Sequence, residues 1–122
     1  MKLVIHEFID LNELVSRRKV FKSMENELKA KGSTYCYCGY GSVSVDKKKA
    51  RKNQVPEEYK GKTCYIFTMQ VEISGTDCVL ESERIFSEEE YLDNSFEWLY
   101  NELANDVVFE LNDNLYTIRF HN

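Results

Sequence analysis

From Tyr65 to Phe86 apolar and polar side chains take turns, and this alternation constrains the fold more than any other feature of the chain. Tyr65, Phe67, Met69, Val71 and Ile73 alternate with Ile66, Thr68, Gln70 and Glu72. A period of two marks a strand with one face buried. Gly75-Thr76 follows, and a two-residue type II′ turn wants glycine first. The register so defined pairs Val71 with Leu80 and Tyr65 with Phe86, and leaves Gln70, Glu72, Glu81 and Glu83 on the opposite face. A slip of one residue would exchange buried and exposed sets along both strands, so the pattern selects this register.

The segments around this hairpin supply further elements. Residues 2–9 read as a strand, apolar on both faces, of the kind that sits centrally in a sheet. Asp10 and Glu13 have capping-box spacing ahead of a helix expected from Leu11 to Lys31. Its apolar stripe is Leu14, Phe21, Met24 and Leu28, with Arg17 at the edge, and Gly32 is its natural stop. Residues 34–45 are a strand candidate, with Tyr35, Tyr37, Val43 and Val45 expected on one side and Cys36, Cys38 and Tyr40 on the other. Residues 46–62 read as a polar linker holding the sole proline, Pro56.

Ser87-Glu88-Glu89-Glu90 has the form of a capping box, with Phe86 and Tyr91 as the flanking staple. It opens a second helix whose apolar face is Leu92, Phe96, Leu99 and Leu103. A closing hairpin is expected around Asp113-Asn114, with Val107, Phe109 and Leu111 facing Tyr116, Ile118 and Phe120. The expected order is β-α-β-β-β-α-β-β. That is an α+β domain, a mostly antiparallel sheet with two helices.

A chain of 122 residues, 43% hydrophobic and 13% aromatic, suffices for one domain with its own core. The apolar stretch Leu3-Val4-Ile5 is too short for a signal peptide, and no run reaches the length of a membrane span. A cytoplasmic protein without membrane contact is expected, with its four cysteines as thiols or metal ligands rather than disulfides.

Charge divides the chain. Residues 1–63 carry 14 Lys/Arg against 8 Asp/Glu, a net of +6, and residues 64–122 carry 2 against 13, a net of −11. Such asymmetry points to charged partners, or to two halves that attract one another within the fold.

No motif builds a catalytic centre, and no cofactor is expected. Cys36 and Cys38 could share a metal, but structural zinc takes four ligands at wider spacing. Cys64, Cys78, His6 and His121 are the remaining candidates, and Cys64 and Cys78 fall on opposite faces of the hairpin. Neither histidine carries the local signature of a Cys–His pair. Gly39-Tyr40-Gly41-Ser42 lacks the third glycine of a dinucleotide fingerprint. With the lysines that follow, it shares residues with the double-stranded-RNA-binding domain. It departs from that family at Val43 to Asp46, and in having one strand rather than three after the helix. Arg18, Lys22 and the run Lys47 to Lys52 offer a second function class, a nucleic-acid-binding module contacting phosphates. A small Cys/His metal protein or enzyme is a third.

The strongest functional signal is acidic. Glu81 and Glu83 lead along a strand into Glu88, Glu89, Glu90, Asp93 and Glu97, with Tyr91 and Trp98 as candidate aromatic anchors. Acids in a first helical turn also complement the helix dipole, and Glu90 serves the cap. As a group they can fill a basic groove made for nucleic acid. In length, net acidity and the Glu/Asp/aromatic segment from Glu81 to Glu102, the chain resembles small acidic inhibitors of bacteria and mobile elements, the anti-CRISPR and toxin-immunity proteins. The resemblance implies a non-enzymatic inhibitor that blocks a basic, nucleic-acid-handling protein such as a nuclease.

Overall fold

The computed structural model describes residues 18–38, 41–73 and 79–113. The first helix, α1 (Arg18–Lys31), forms where Phe21, Met24 and Leu28 recur at helical spacing, and all three are buried. Gly32 ends it at a φ of +78°, donating its N–H to Leu28 O at 2.8 Å. That is the left-handed stop only glycine takes without strain. The Gly32 carbonyl then accepts from Lys47 N, and the Thr34 hydroxyl donates to Glu27. These bonds fasten the helix end to the sheet.

Four strands follow in sequential order: β1 (Ser33–Cys38), β2 (Gly41–Lys49), β3 (Cys64–Ile73) and β4 (Val79–Ser87). Every neighbouring pair is antiparallel. The fold is α+β, as the residue pattern predicts. In the β3–β4 hairpin Tyr65 faces Phe86 and Val71 faces Leu80, the register set by alternation. The expected Gly75-Thr76 turn lies outside the described residues.

The stretch read as one strand from 34 to 45 is two strands paired as a hairpin, Thr34 to Val45 and Cys36 to Val43. The reversal between 38 and 41 changes the parity of everything after it. Val43 and Val45 are therefore fully buried on the side of Cys36, while Tyr35 and Tyr37 face the other way, 59% and 66% exposed. The segment 46–62 is less of a linker than expected, because β2 continues through Lys49. Two 3-10 turns, Lys52–Gln54 and Glu57–Tyr59, fill the rest.

Beyond the sheet come α2 (Glu88–Asp93) and α3 (Phe96–Asp113). The expected single helix breaks at Asn94-Ser95. Asn94 is extended and its side chain donates to Glu90 O, while Ser95 Oγ accepts from Trp98 N at the start of α3. Both are residues whose side chains compete with helical backbone bonds. Leu92 is thereby turned off the apolar face and left 64% exposed, whereas Phe96, Leu99 and Leu103 are buried as expected. The first arm of the expected closing hairpin, from Val107 onward, is helical. Leu103, Ala104 and Val107 continue the buried stripe of α3, and packing overrides the strand preference of the Val-Val-Phe run. The second arm, Tyr116 to Phe120, lies outside the described residues. So do the strand expected at 2–9, Leu14 and Arg17, Tyr40, both histidines and Cys78.

Helices α1 and α3 cover the same face of the sheet. Phe21 packs edge-on against Tyr100, and Ser82 donates to Leu103 O at 2.9 Å. Phe67, Met69, Val71 and Phe86 lie fully buried beneath them. Glu25 of α1 accepts the N–H of Phe96, so the first helix caps the last. The opposite face carries the other parity set, among them Tyr35, Gln70, Glu72, Glu81 and Glu83, all exposed.

Candidate binding surface

The acidic segment divides according to what each carboxylate touches. Ser87 and Glu90 form the expected capping box. Glu90 N donates to Ser87 Oγ and Ser87 N donates to Glu90 Oε1, each at 3.1 Å. The Tyr59 hydroxyl donates to the same Glu90 oxygen at 2.8 Å. Burial pushes the Glu90 carboxyl up, but the donors from Ser87 and Tyr59 and the charge of Arg84 outweigh it and hold it below the usual carboxylate range. The same bond, with burial, raises the Tyr59 phenol. Glu90 therefore serves the fold.

Tyr91 and Trp98 also turn inward. The Tyr91 ring meets Tyr65 and Phe67 at 5.6 and 5.4 Å between centroids, and Trp98 meets Phe86 at 5.7 Å. Lys47 Nζ lies 4.6 Å from the centre of the Tyr91 ring and donates to its hydroxyl. The aromatic pair, half-buried, packs along the edge of the core. The lysine run is dispersed too: Lys47 points to these rings, while its neighbour Lys48 belongs to the opposite face of β2. Lys22, Arg51 and Lys52 are exposed on other elements.

The remaining acids are at the surface. Glu88, Glu89 and Asp93 line an open cleft of about 310 Å³ together with Lys62, Thr63, Ser87 and Leu92. Glu97 is exposed on the first turn of α3. Glu81 and Glu83 stand exposed on the face of the sheet opposite α1 and α3, where Glu81 accepts from Gln70 at 3.2 Å. Glu88, Glu89 and Asp93 thus share a helical cleft, Glu81 and Glu83 a strand face on the strand that runs into α2, and Glu97 stands on α3. Sequence reasoning found the acids. It missed Tyr35 and Tyr37, whose exposure depends on the reversal after Cys38.

The thiols build nothing comparable. Cys64 has the strand parity of the face opposite α1 and α3, yet it is buried. Its carbonyl accepts from Ala50 N, and Glu88 N bonds to the adjacent Thr63 carbonyl, so chain from both sides closes over the end of β3. Burial, with the nearby charge of Glu90, pushes its thiol up, away from a reactive thiolate. Cys36 is half-buried on the helix-covered side. Among the described residues no group of His, Cys, Asp or Glu is placed to hold a metal ion. Among the same residues no helix is long and apolar enough to cross a membrane. Compared with known proteins, the chain matches no family model, no curated protein and no solved structure.

Proposed function

We propose that this chain is a non-enzymatic, cytoplasmic binding protein, an inhibitor of the anti-CRISPR or immunity type that occupies the nucleic-acid groove of a basic protein such as a nuclease. One observation carries the reading. The ion pairs among the described residues are Lys29–Glu25, Lys60–Glu57 and Arg84–Glu102, and each joins two residues of the same half of the chain. None links the basic half to the acidic half. Glu81, Glu83, Glu88, Glu89, Asp93 and Glu97 are left to meet charge from outside. A mostly negative surface steers a positively charged partner and repels nucleic acid itself.

The test is affinity capture from the source cell, followed by a gel-shift assay with the protein retained. The native chain should retain a basic nucleic-acid-binding protein and displace its nucleic acid. A variant carrying Glu88→Lys, Glu89→Lys, Asp93→Lys and Glu97→Lys should do neither, and Glu90 is left intact because it holds the fold. A reversed variant that keeps both properties refutes the reading.

A further inference from the structure

The register of the sheet places two kinds of wall on the face opposite α1 and α3. Along one row, Tyr35 of β1 stands beside Ser44 of β2, Gln70 of β3 and Glu81 of β4. In the next row the order is Tyr37, Ser42, Glu72 and Val79. Directly paired residues of antiparallel strands project to the same side. The result is an aromatic wall on β1, a floor of two serines on β2, and an amide-and-carboxylate wall on β3 and β4. Ser42 is 8% exposed, while the tyrosine rings stand 59% and 66% free. With strands about 4.8 Å apart, the backbones under the two walls lie about 10 Å from each other, so a side chain resting against the free tyrosine rings is within reach of the carboxylates.

Charge states what fits. Among the described strand residues, Asp46, Glu72, Glu81 and Glu83 share this face with one cation, Lys48. Phosphate and anionic lipid are repelled by it. A guanidinium can stack its face on a phenol ring while the N–H groups at its edge fork onto a carboxylate, which a compact, strongly hydrated ammonium does poorly. Glu81 is already steadied by Gln70, which lowers the entropy cost of such a bond. We infer that this trough receives arginine side chains of a basic protein partner. The inference rests on the acidic-inhibitor reading and moves its anchors from Tyr91 and Trp98 to Tyr35 and Tyr37.

Fluorescence anisotropy with a labelled nine-residue oligo-arginine peptide and an oligo-lysine peptide of equal length tests it. The native chain should bind the arginine peptide about fivefold or more tightly than the lysine peptide, the scale of one to two exposed cation–π contacts. Tyr35→Ala with Tyr37→Ala should bring the ratio close to one while charge attraction to both peptides persists. Tyr35→Phe with Tyr37→Phe should keep the preference, since the ring does the stacking. Glu88→Gln, Glu89→Gln and Asp93→Asn together should also keep it. Equal binding of both peptides by the native chain, or a preference that survives loss of both rings, overturns the trough and leaves the acidic-inhibitor reading standing. Failure of both peptides to bind overturns the trough and counts against that reading as well.

Discussion

Replacing Glu90 by glutamine isolates one carboxylate from the rest of the acidic surface. The substitution keeps an oxygen that can accept from Ser87 N and the Tyr59 hydroxyl, so neither donor is orphaned. It removes the charge that strengthens those bonds. A hydrogen bond to a charged group contributes about 1 kcal/mol more than a neutral one, and an acid at a helix N-terminus adds about 0.3–1 kcal/mol. Relief of burying a half-covered charge offsets part of this, leaving an expected loss of about 1.5 kcal/mol at neutral pH. At an unfolding entropy of about 2 cal/mol/K per residue, that lowers Tm by about 6 °C. The pH dependence gives the argument its direction. The folded carboxyl titrates below its ordinary value of 4.5, so its contribution is complete above that value and is lost as pH falls through the lower, folded one. Urea unfolding followed by circular dichroism should therefore show a native-to-variant gap at pH 7 that closes in acid, as pH falls through the lowered titration of the folded carboxyl. A gap of the same size at neutral and at acid pH, or none at pH 7, would mean that Glu90 is one more surface carboxylate and the cap network contributes nothing through its charge.

Two further outcomes are expected. Gly32→Ala should cost about 1 kcal/mol, read as a lowered urea midpoint. The added Cβ would sit 3.5 Å from the Lys47 carbonyl, an ordinary contact, so the cost comes from the backbone angle alone. Raising sodium chloride from about 10 to 150 mM should raise Tm, because shortening the Debye length from about 30 to 8 Å screens repulsion within the acidic half. A fall in Tm would show instead that the two halves stabilise each other by attraction.

What could be read from the residues, and what could not, divides along a physical line. Alternation from Tyr65 to Phe86 is local, and it yielded the hairpin register correctly at both tested pairs. The Ser87–Glu90 cap is also local, four residues whose side chains answer their own backbone. The orientation of Tyr35 and Tyr37 is not local. It depends on whether the chain reverses after Cys38, and that reversal inverts the parity of every residue downstream. The split at Asn94-Ser95 was marked by two poor helix formers, yet the apolar spacing of Leu92, Phe96 and Leu99 ran straight across it. The strand preference of Val107 and its neighbours lost to the buried face of α3, which only tertiary packing supplies. For the candidate surface the same line holds: seven acids and the capping role of Glu90 were visible in the sequence, but not the Tyr59 hydroxyl that donates to Glu90, nor the rings that Tyr91 and Trp98 meet.

The exposure of the strand carboxylates follows from how this sheet is covered. Both long helices lie on one face, so the apolar residues of β2, β3 and β4 are drawn to that side and the polar parity set is left on the other. The links that do cross between the halves there avoid ion pairing. Glu25 meets the N–H of Phe96, Lys47 meets the ring and hydroxyl of Tyr91, and Tyr59 meets Glu90. Each satisfies one charge with a dipole or a ring and leaves no opposite charge spent. A fold that binds its halves through dipoles and aromatic faces keeps most of its carboxylates uncompensated, and self-repulsion among them works against stability. A basic partner removes that repulsion on binding, so the same arrangement that weakens the free chain favours the complex.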